Sequence, residues 1–195
     1  MIKSCLIGIA LLAAFAWPVK AERCEETVLI DSVEYRVGER WCGKRIDSTR
    51  LAVRERLSRI PDEYCFENYR IYIDLAARDA FVRMAESARS DSVFLIVDSG
   101  YRSAGYQAKI IARRMAEGDR FNDIIRYVAP PGYSLHETGM TIDLIPSDHG
   151  FTRTAAYAWL TEHAADFGFA ETSPKDSAGV MPWEPWHWTY LLETE

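Results

Sequence analysis

The chain has 195 residues and a formal net charge of −6 at pH 7. An acidic balance of this size suits a soluble surface. With no recognisable binding motif for nucleic acid, it argues against such a partner. A dinucleotide glycine loop, a P-loop, repeats and low-complexity tracts are also missing from the sequence.

The first segment reads as an export signal rather than as part of a fold. Lys3 supplies a positive start, Leu6 to Trp17 is almost wholly apolar, and Val19-Lys20-Ala21 puts small residues at a cleavage site. The apolar run is short for a membrane span, and Cys5 stands too early for lipid attachment. The expectation is a signal peptide over residues 1–21 and one domain over 22–195. That domain is secreted or periplasmic, keeps no stable transmembrane anchor after processing, and acts as a monomer. Removing Lys3 and Lys20 moves the net charge from −6 to −8. Cys24, Cys42 and Cys65 remain. Export permits a disulfide, so one pair and one buried thiol are expected, with the pairing open. No cysteine has a histidine near it in sequence, which argues against a thiol nucleophile.

Along the chain, Val28 to Val37 and Arg70 to Ile73 read as short strands. Asp74 is placed to cap a helix running to about Arg89, with Ala77, Phe81, Ala85 and Ala88 on one face. Phe94 to Val97 reads as a buried strand, ended by Ser99-Gly100. Ser103 is placed to cap a second helix that stops near Gly118. Pro130-Pro131-Gly132 marks a loop, and Met140 to Leu144 a strand. Thr152 is expected to cap a third helix, with Ala156, Trp159, Leu160 and Phe167 inward and Gly168 at its end. A loop from Thr172 to Pro182 precedes a last strand over Trp186 to Leu191. The irregular alternation predicts an α+β domain with a small, largely antiparallel sheet flanked by helices.

The chain has four histidines. His136 and His187 lie in dense polar and aromatic contexts. His163 falls near the apolar face of the third helix and reads as structural. His149 lies in a Ser-Asp-His-Gly turn and reads as exposed. Zinc takes imidazole nitrogen and carboxylate oxygen, and a catalytic site keeps one position open for water. His136, Asp143 and His187 make such a set. Glu184 is the candidate general base for the water. It stands three residues before His187, so an ideal strand would point the two to opposite sides. The pair therefore requires a bend, which Pro185 favours.

These motifs resemble the VanY-type zinc D-alanyl-D-alanine carboxypeptidases of the LAS group. The resemblance rests on Ser99-Gly100-Tyr101-Arg102-Ser103 with Gln107, Ser134-x-His136-x-x-Gly139, Asp143, and Glu184-Pro185-Trp186-His187. It covers about residues 70–190 and implies a Hedgehog/DD-peptidase-like fold. It implies a Zn2+ cofactor held by His136, Asp143 and His187, and Glu184 as base. Arg102 is implied to hold substrate or polarise its carbonyl, which suits a guanidinium fork facing a terminal carboxylate. Gln107 and Ser134 are implied near the substrate. The implied partners are peptidoglycan stem peptides, cut at the terminal D-Ala–D-Ala bond. Leu135 and Glu137 stand where relatives often carry glutamate and glutamine, and Thr189 where they often carry arginine. Those departures bear on substrate rather than on ligands. An L,D-carboxypeptidase, an endopeptidase or amidase with the same site, and a non-catalytic zinc-stabilised wall-binding module are the competing readings. Ser-x-x-Lys and Gly-x-Ser-x-Gly, the marks of serine enzymes, are absent.

Overall fold

The computed structural model describes residues 24–175 and 179–191. The expected signal peptide, residues 1–21, lies outside them. Among the described residues no helix is long and apolar enough to cross a membrane.

Strands β1 (Thr27–Ile30) and β2 (Val33–Arg36) form an antiparallel hairpin. The expected Val28–Val37 run is thus folded on itself. Asp31 and Ser32 both take positive φ at the turn, which short polar side chains tolerate best. A second antiparallel pair joins β3 (Leu57–Arg59) to β4 (Tyr72–Asp74). Helix α1 (Leu75–Ser90) follows at once. Asp74 caps it through a side-chain bond from the Ala76 N–H at 2.9 Å. Ala77, Phe81, Ala85 and Ala88 are buried on the face the periodicity assigns to the core.

Strand β5 (Val97–Ser99) starts later than the apolar run suggests, and Phe94 is 69% exposed. Leu95 and Val97 point inward and Phe94 outward, as the two-residue alternation of extended chain requires. Ser103 caps helix α2 (Ala104–Ala116) as expected. A four-residue helix α3 (Phe121–Ile124) packs beside it. Strand β6 (Thr141–Leu144) leads toward helix α4 (Ala155–His163). Thr154, not Thr152, caps α4, because a 3-10 segment His149–Arg153 holds the earlier threonine. Gly168 closes the following turn in the left-handed conformation. Strand β7 (Phe169–Glu171) was not evident in sequence, while β8 (His187–Tyr190) falls inside the expected last strand.

The principal sheet is antiparallel with order β5-β6-β8-β7. One face packs on α1 and α4 in a core that includes Phe81, Met84, Leu144, Phe151 and Leu160. A second apolar cluster gathers the β1–β2 hairpin, Trp41, α2, α3 and Tyr133. Cys24 and Cys42 form a disulfide with Cα atoms 5.7 Å apart, and Cys65 is a buried free thiol. The α+β, largely antiparallel architecture is the one expected.

Candidate metal centre

Alternation along β6 sorts its side chains. Ile142 and Leu144 enter the core, and Thr141 and Asp143 face the other way. The β6–β8 register puts Thr141 opposite Thr189 and Asp143 opposite His187. Directly opposed residues of an antiparallel pair hold their Cβ atoms about 5 Å apart on one face. The register thus brings the two distant ligand candidates together without help from any loop.

His136 arrives on a 3-10 turn, Leu135–Thr138, between Ser134 and Gly139. Gly139 takes φ 73°, and a Cβ there would stand 3.2 Å from the Asp74 nitrogen. Its carbonyl accepts the Asp74 N–H at 2.8 Å, which ties the turn to the start of α1. The His136 ring is 1% exposed. Its Nδ1 lies 2.6 Å from the Gly100 carbonyl oxygen. A carbonyl can only accept, so Nδ1 carries the proton and Nε2 presents a lone pair.

That lone pair lies 3.2 Å from Asp143 Oδ2. His136 and His187 stack edge to face, with ring centroids 5.0 Å apart. His136 Nε2, Asp143 Oδ1 and His187 Nδ1 are all buried with no hydrogen-bond partner among the described residues. One ligand atom from each of the three residues falls within 4.8 Å of the others. Buried acceptors gathered with nothing to donate to them are costly, and a cation between them resolves that cost. Two imidazoles and one carboxylate with room for a fourth ligand fit zinc of the catalytic kind.

Glu184 lines the same cleft as these three residues, in a cavity of about 490 Å³. A turn delivers it: the His187 N–H donates to the Glu184 carbonyl at 3.0 Å across Pro185 and Trp186. This is the bend that the three-residue spacing requires. Burial, reinforced by the nearby Asp143 charge, pushes the Glu184 carboxyl up to about 7, against a weaker pull from Arg102. Burial likewise lowers His187 to about 3, which keeps its imidazole neutral and able to ligate. Burial acts to raise Asp143, but His136, His187 and Arg102 more than reverse it. The carboxylate stays ionised below the ordinary range.

Arg102 Nη2 lies 3.7 Å from Asp143 Oδ2, and its buried Nε has no partner. Its own N–H donates to the His136 carbonyl at 3.3 Å. Gln107 is buried in α2, donates to the Ala129 carbonyl at 2.8 Å and leaves Oε1 unpaired at the cleft. Ser134 is buried and lines the cleft. All seven site residues expected from the sequence, Arg102 included, therefore line this one cleft.

The other two histidines lie apart from the ligand cluster. His163 packs on Trp159 at 4.8 Å. His149 is exposed as a residue, yet its ring meets Trp183 and Trp186, each at 5.6 Å. Thr189, at the position of the family's frequent arginine, bonds through Oγ1 to Thr141 at 3.0 Å and Thr172 at 2.6 Å. Glu137 is buried, accepts the Gly132 N–H at 2.7 Å, and has its pKa raised by that burial.

One part of the cleft lining has no counterpart among the residues expected from the sequence. Trp41, Lys44, Ile46 and Arg50 make it up, from a region in which no hydrophobic period was read. The one available signal was the pair of cysteines that brackets its start, Cys24 and Cys42.

Comparison with known proteins adds an independent line. A sequence model of the family described as VanY, D-alanyl-D-alanine carboxypeptidase, matches residues 70–193. The chain is similar to a D-alanyl-D-alanine carboxypeptidase of Enterococcus faecalis, 28% identical over 185 residues, or 88% of this chain and 66% of the relative. An Enterococcus faecium protein of the same description is 29% identical over 62% of this chain and 38% of its own length. The chain thus spans less than two thirds of these relatives. Among solved structures, the LdcB LD-carboxypeptidase superposes with a TM-score of 0.66 at 25% identity, over 85% of this chain and 83% of that one. VanYB in complex with D-alanine-D-alanine gives 0.53 at 30% identity, over 72% and 84%.

Proposed function

The chain belongs to the VanY family of D-alanyl-D-alanine carboxypeptidases, and from that premise we propose that it hydrolyses the terminal D-Ala–D-Ala bond of peptidoglycan stem peptides. The observation that carries the reading is the convergence of unpartnered atoms of His136, Asp143 and His187 beside Glu184 in one cleft. His136, Asp143 and His187 hold Zn2+. When bound, zinc supplies Lewis acidity, polarising the scissile carbonyl and easing loss of a proton from water.

The remaining work falls to side chains. Glu184, as its carboxylate, takes the proton of the attacking water and returns one to the leaving amine. Arg102 presents its fork to the substrate's terminal carboxylate and fixes the cut one residue from the end. The unpaired Gln107 Oε1 accepts a substrate N–H, and Ser134 lines the same pocket. Gly100 positions His136 by holding its Nδ1 proton.

A second reading, cleavage of the L,D bond of a tetrapeptide, is favoured by the higher TM-score to the LD-carboxypeptidase LdcB. Mass spectrometry of defined muropeptides separates the two. Loss of D-alanine from pentapeptides alone supports the D,D reading, and loss from tetrapeptides replaces it with the L,D one. Internal cleavage, unchanged when the terminal carboxylate is amidated, defeats both.

The protein works as a monomer outside the cytoplasm, without a nucleic-acid partner. Lys3, the apolar run to Trp17 and Ala21 support export, and the Cys24–Cys42 disulfide suits an oxidising compartment. N-terminal sequencing of the protein from its host tests this, and an intact Met1 in the cytoplasm overturns it.

A further inference from the structure

Part of the cleft lining, Trp41, Lys44, Ile46 and Arg50, comes from residues before position 70, outside the stretch that the family model matches. It is firmly held. The disulfide closes its start. Trp41 Nε1 donates to the Ile125 carbonyl at 3.0 Å. The Ile46 N–H donates to Gly132 at 2.8 Å, and the Ala52 N–H to Glu137 at 2.9 Å. Segment 46–52 is thus stitched at both ends to the loop that carries His136. Tyr133, on that loop, donates its hydroxyl to Glu26 and carries the Arg45 guanidinium 4.9 Å above its ring.

Arg50 within this segment and Lys44 just before it, whose N–H donates to the Trp41 carbonyl at 3.0 Å, both line the cleft. Both are exposed, and neither has an ion-pair partner within 4.0 Å among the described residues. Two cations without an ion-pair partner within 4.0 Å thus border the cleft of a protein whose net charge is −6, with Asp47 the carboxylate that Arg50 acts on and Asp143 and Glu184 the carboxyl groups in the same lining. A leaving D-alanine has one carboxylate, and Arg102 takes it. A further pair of cations then has no anion on the leaving residue to meet.

We propose that Lys44 and Arg50 form a second anion-recognition point, specific for a free carboxylate on the acyl half of the substrate peptide. The proposal rests on reading the cleft as a peptidase site, with Arg102 at the terminal carboxylate. Its consequence is a preference for acidic acyl halves over their carboxamide counterparts. Arg50 offers a fork and Lys44 a mobile point charge. Exposure limits the pair to a modest effect that salt weakens.

The test uses two peptides ending in D-Ala–D-Ala that differ only in one acyl-half residue, Glu against Gln. Their Kd values are measured on the zinc-loaded Glu184→Gln protein, and kcat/KM on the wild type. The expected result is a preference of about 5-fold for the Glu peptide, shrinking at high salt. It should fall toward parity in Lys44→Gln/Arg50→Gln and persist in the charge-conserving Lys44→Arg/Arg50→Lys. Lys109→Gln, which removes an exposed charge outside the cleft lining, should leave it in place. No preference in the wild type, or the same preference in the double glutamine variant, overturns the proposal. Equal loss of affinity for both peptides also overturns it, since Lys44 and Arg50 would then hold the terminal carboxylate. Lack of turnover with a preserved Kd ratio instead removes the peptidase reading and leaves the recognition point standing.

Discussion

The carbonyl of Gly100 lies 2.6 Å from Nδ1 of His136 and so decides which nitrogen of that ring faces Asp143. Gly100 can approach so closely because it has no side chain. A Cβ there would meet the Tyr72 oxygen and the Ile71 Cγ2, both at 2.7 Å. Gly100→Ala should therefore displace the carbonyl. We expect zinc affinity to fall roughly 10-fold, the usual scale for losing an outer partner of a ligating histidine. Competition with a chromophoric chelator measures this. Unaltered affinity in a folded variant would remove Gly100 from the site.

Glu184→Gln keeps size and burial but cannot accept a proton. Turnover should fall roughly 100-fold or more, while elemental analysis still finds one zinc per chain. The wild type should lose activity as pH falls and Glu184 takes up its proton. Burial and Asp143 set that proton's release near 7 in the metal-free cleft, and the positive charge of zinc draws it lower. An acidic limb below pH 7 that vanishes in the residual activity of the variant is the expected profile. Near-normal turnover in Glu184→Gln would transfer the role of base elsewhere.

Arg102→Lys keeps a charge but loses the fork. For a peptide with a free terminal carboxylate, kcat/KM should drop about 10-fold or more. For the same peptide amidated at its end, the wild type should already be slow and the variant little different. A double comparison of this kind separates carboxylate binding from a mere effect on Asp143, 3.7 Å away. Equal losses on both peptides would assign Arg102 to the metal ligand instead.

Asp74 supports the site from behind. It caps α1, receives the Arg56 fork at 2.8 and 3.0 Å, and gives its N–H to Gly139. Burial acts to raise its pKa, but Arg56 and the Ala76 N–H outweigh that, and the net shift is downward. A lowered folded pKa means stability is present above the unfolded value and lost as pH falls through the folded one. Asp74→Asn should cost about 2 kcal/mol at neutral pH. Thermal unfolding across a pH series should show that gap narrowing below about pH 4. A constant gap would assign the loss to packing alone.

Much of this was legible in the chain. Asp74 and Ser103 announce their helices because capping is local chemistry, settled within three residues. His136, Asp143, Glu184 and His187 stood out because a small set of polar ligands has few other uses in an apolar setting. The opposed pairing of Asp143 and His187 was beyond reach, since register across 44 residues is a tertiary matter. β3 and β7, three residues each, carry too short a pattern to detect. The apolar run at Phe94 predicts burial, yet Phe94 is exposed, because such a run conceals which alternate face meets solvent. Lys44 and Arg50 carry no local mark at all. They reach the cleft only through tertiary contacts, Lys44 beside Trp41 and Arg50 on the segment that folds onto the His136 loop.

The facing of Asp143 and His187 across β6 and β8 also makes the ion a proofreader of the sheet. Slipping one strand by a single residue would turn one of these side chains into the core and offer Trp188 or Ile142 in its place. Metal binds the correct pairing and not the slipped one, so each unit of binding energy widens the gap between them. A metal bound here would thus favour the correct strand register as well as serve the reaction.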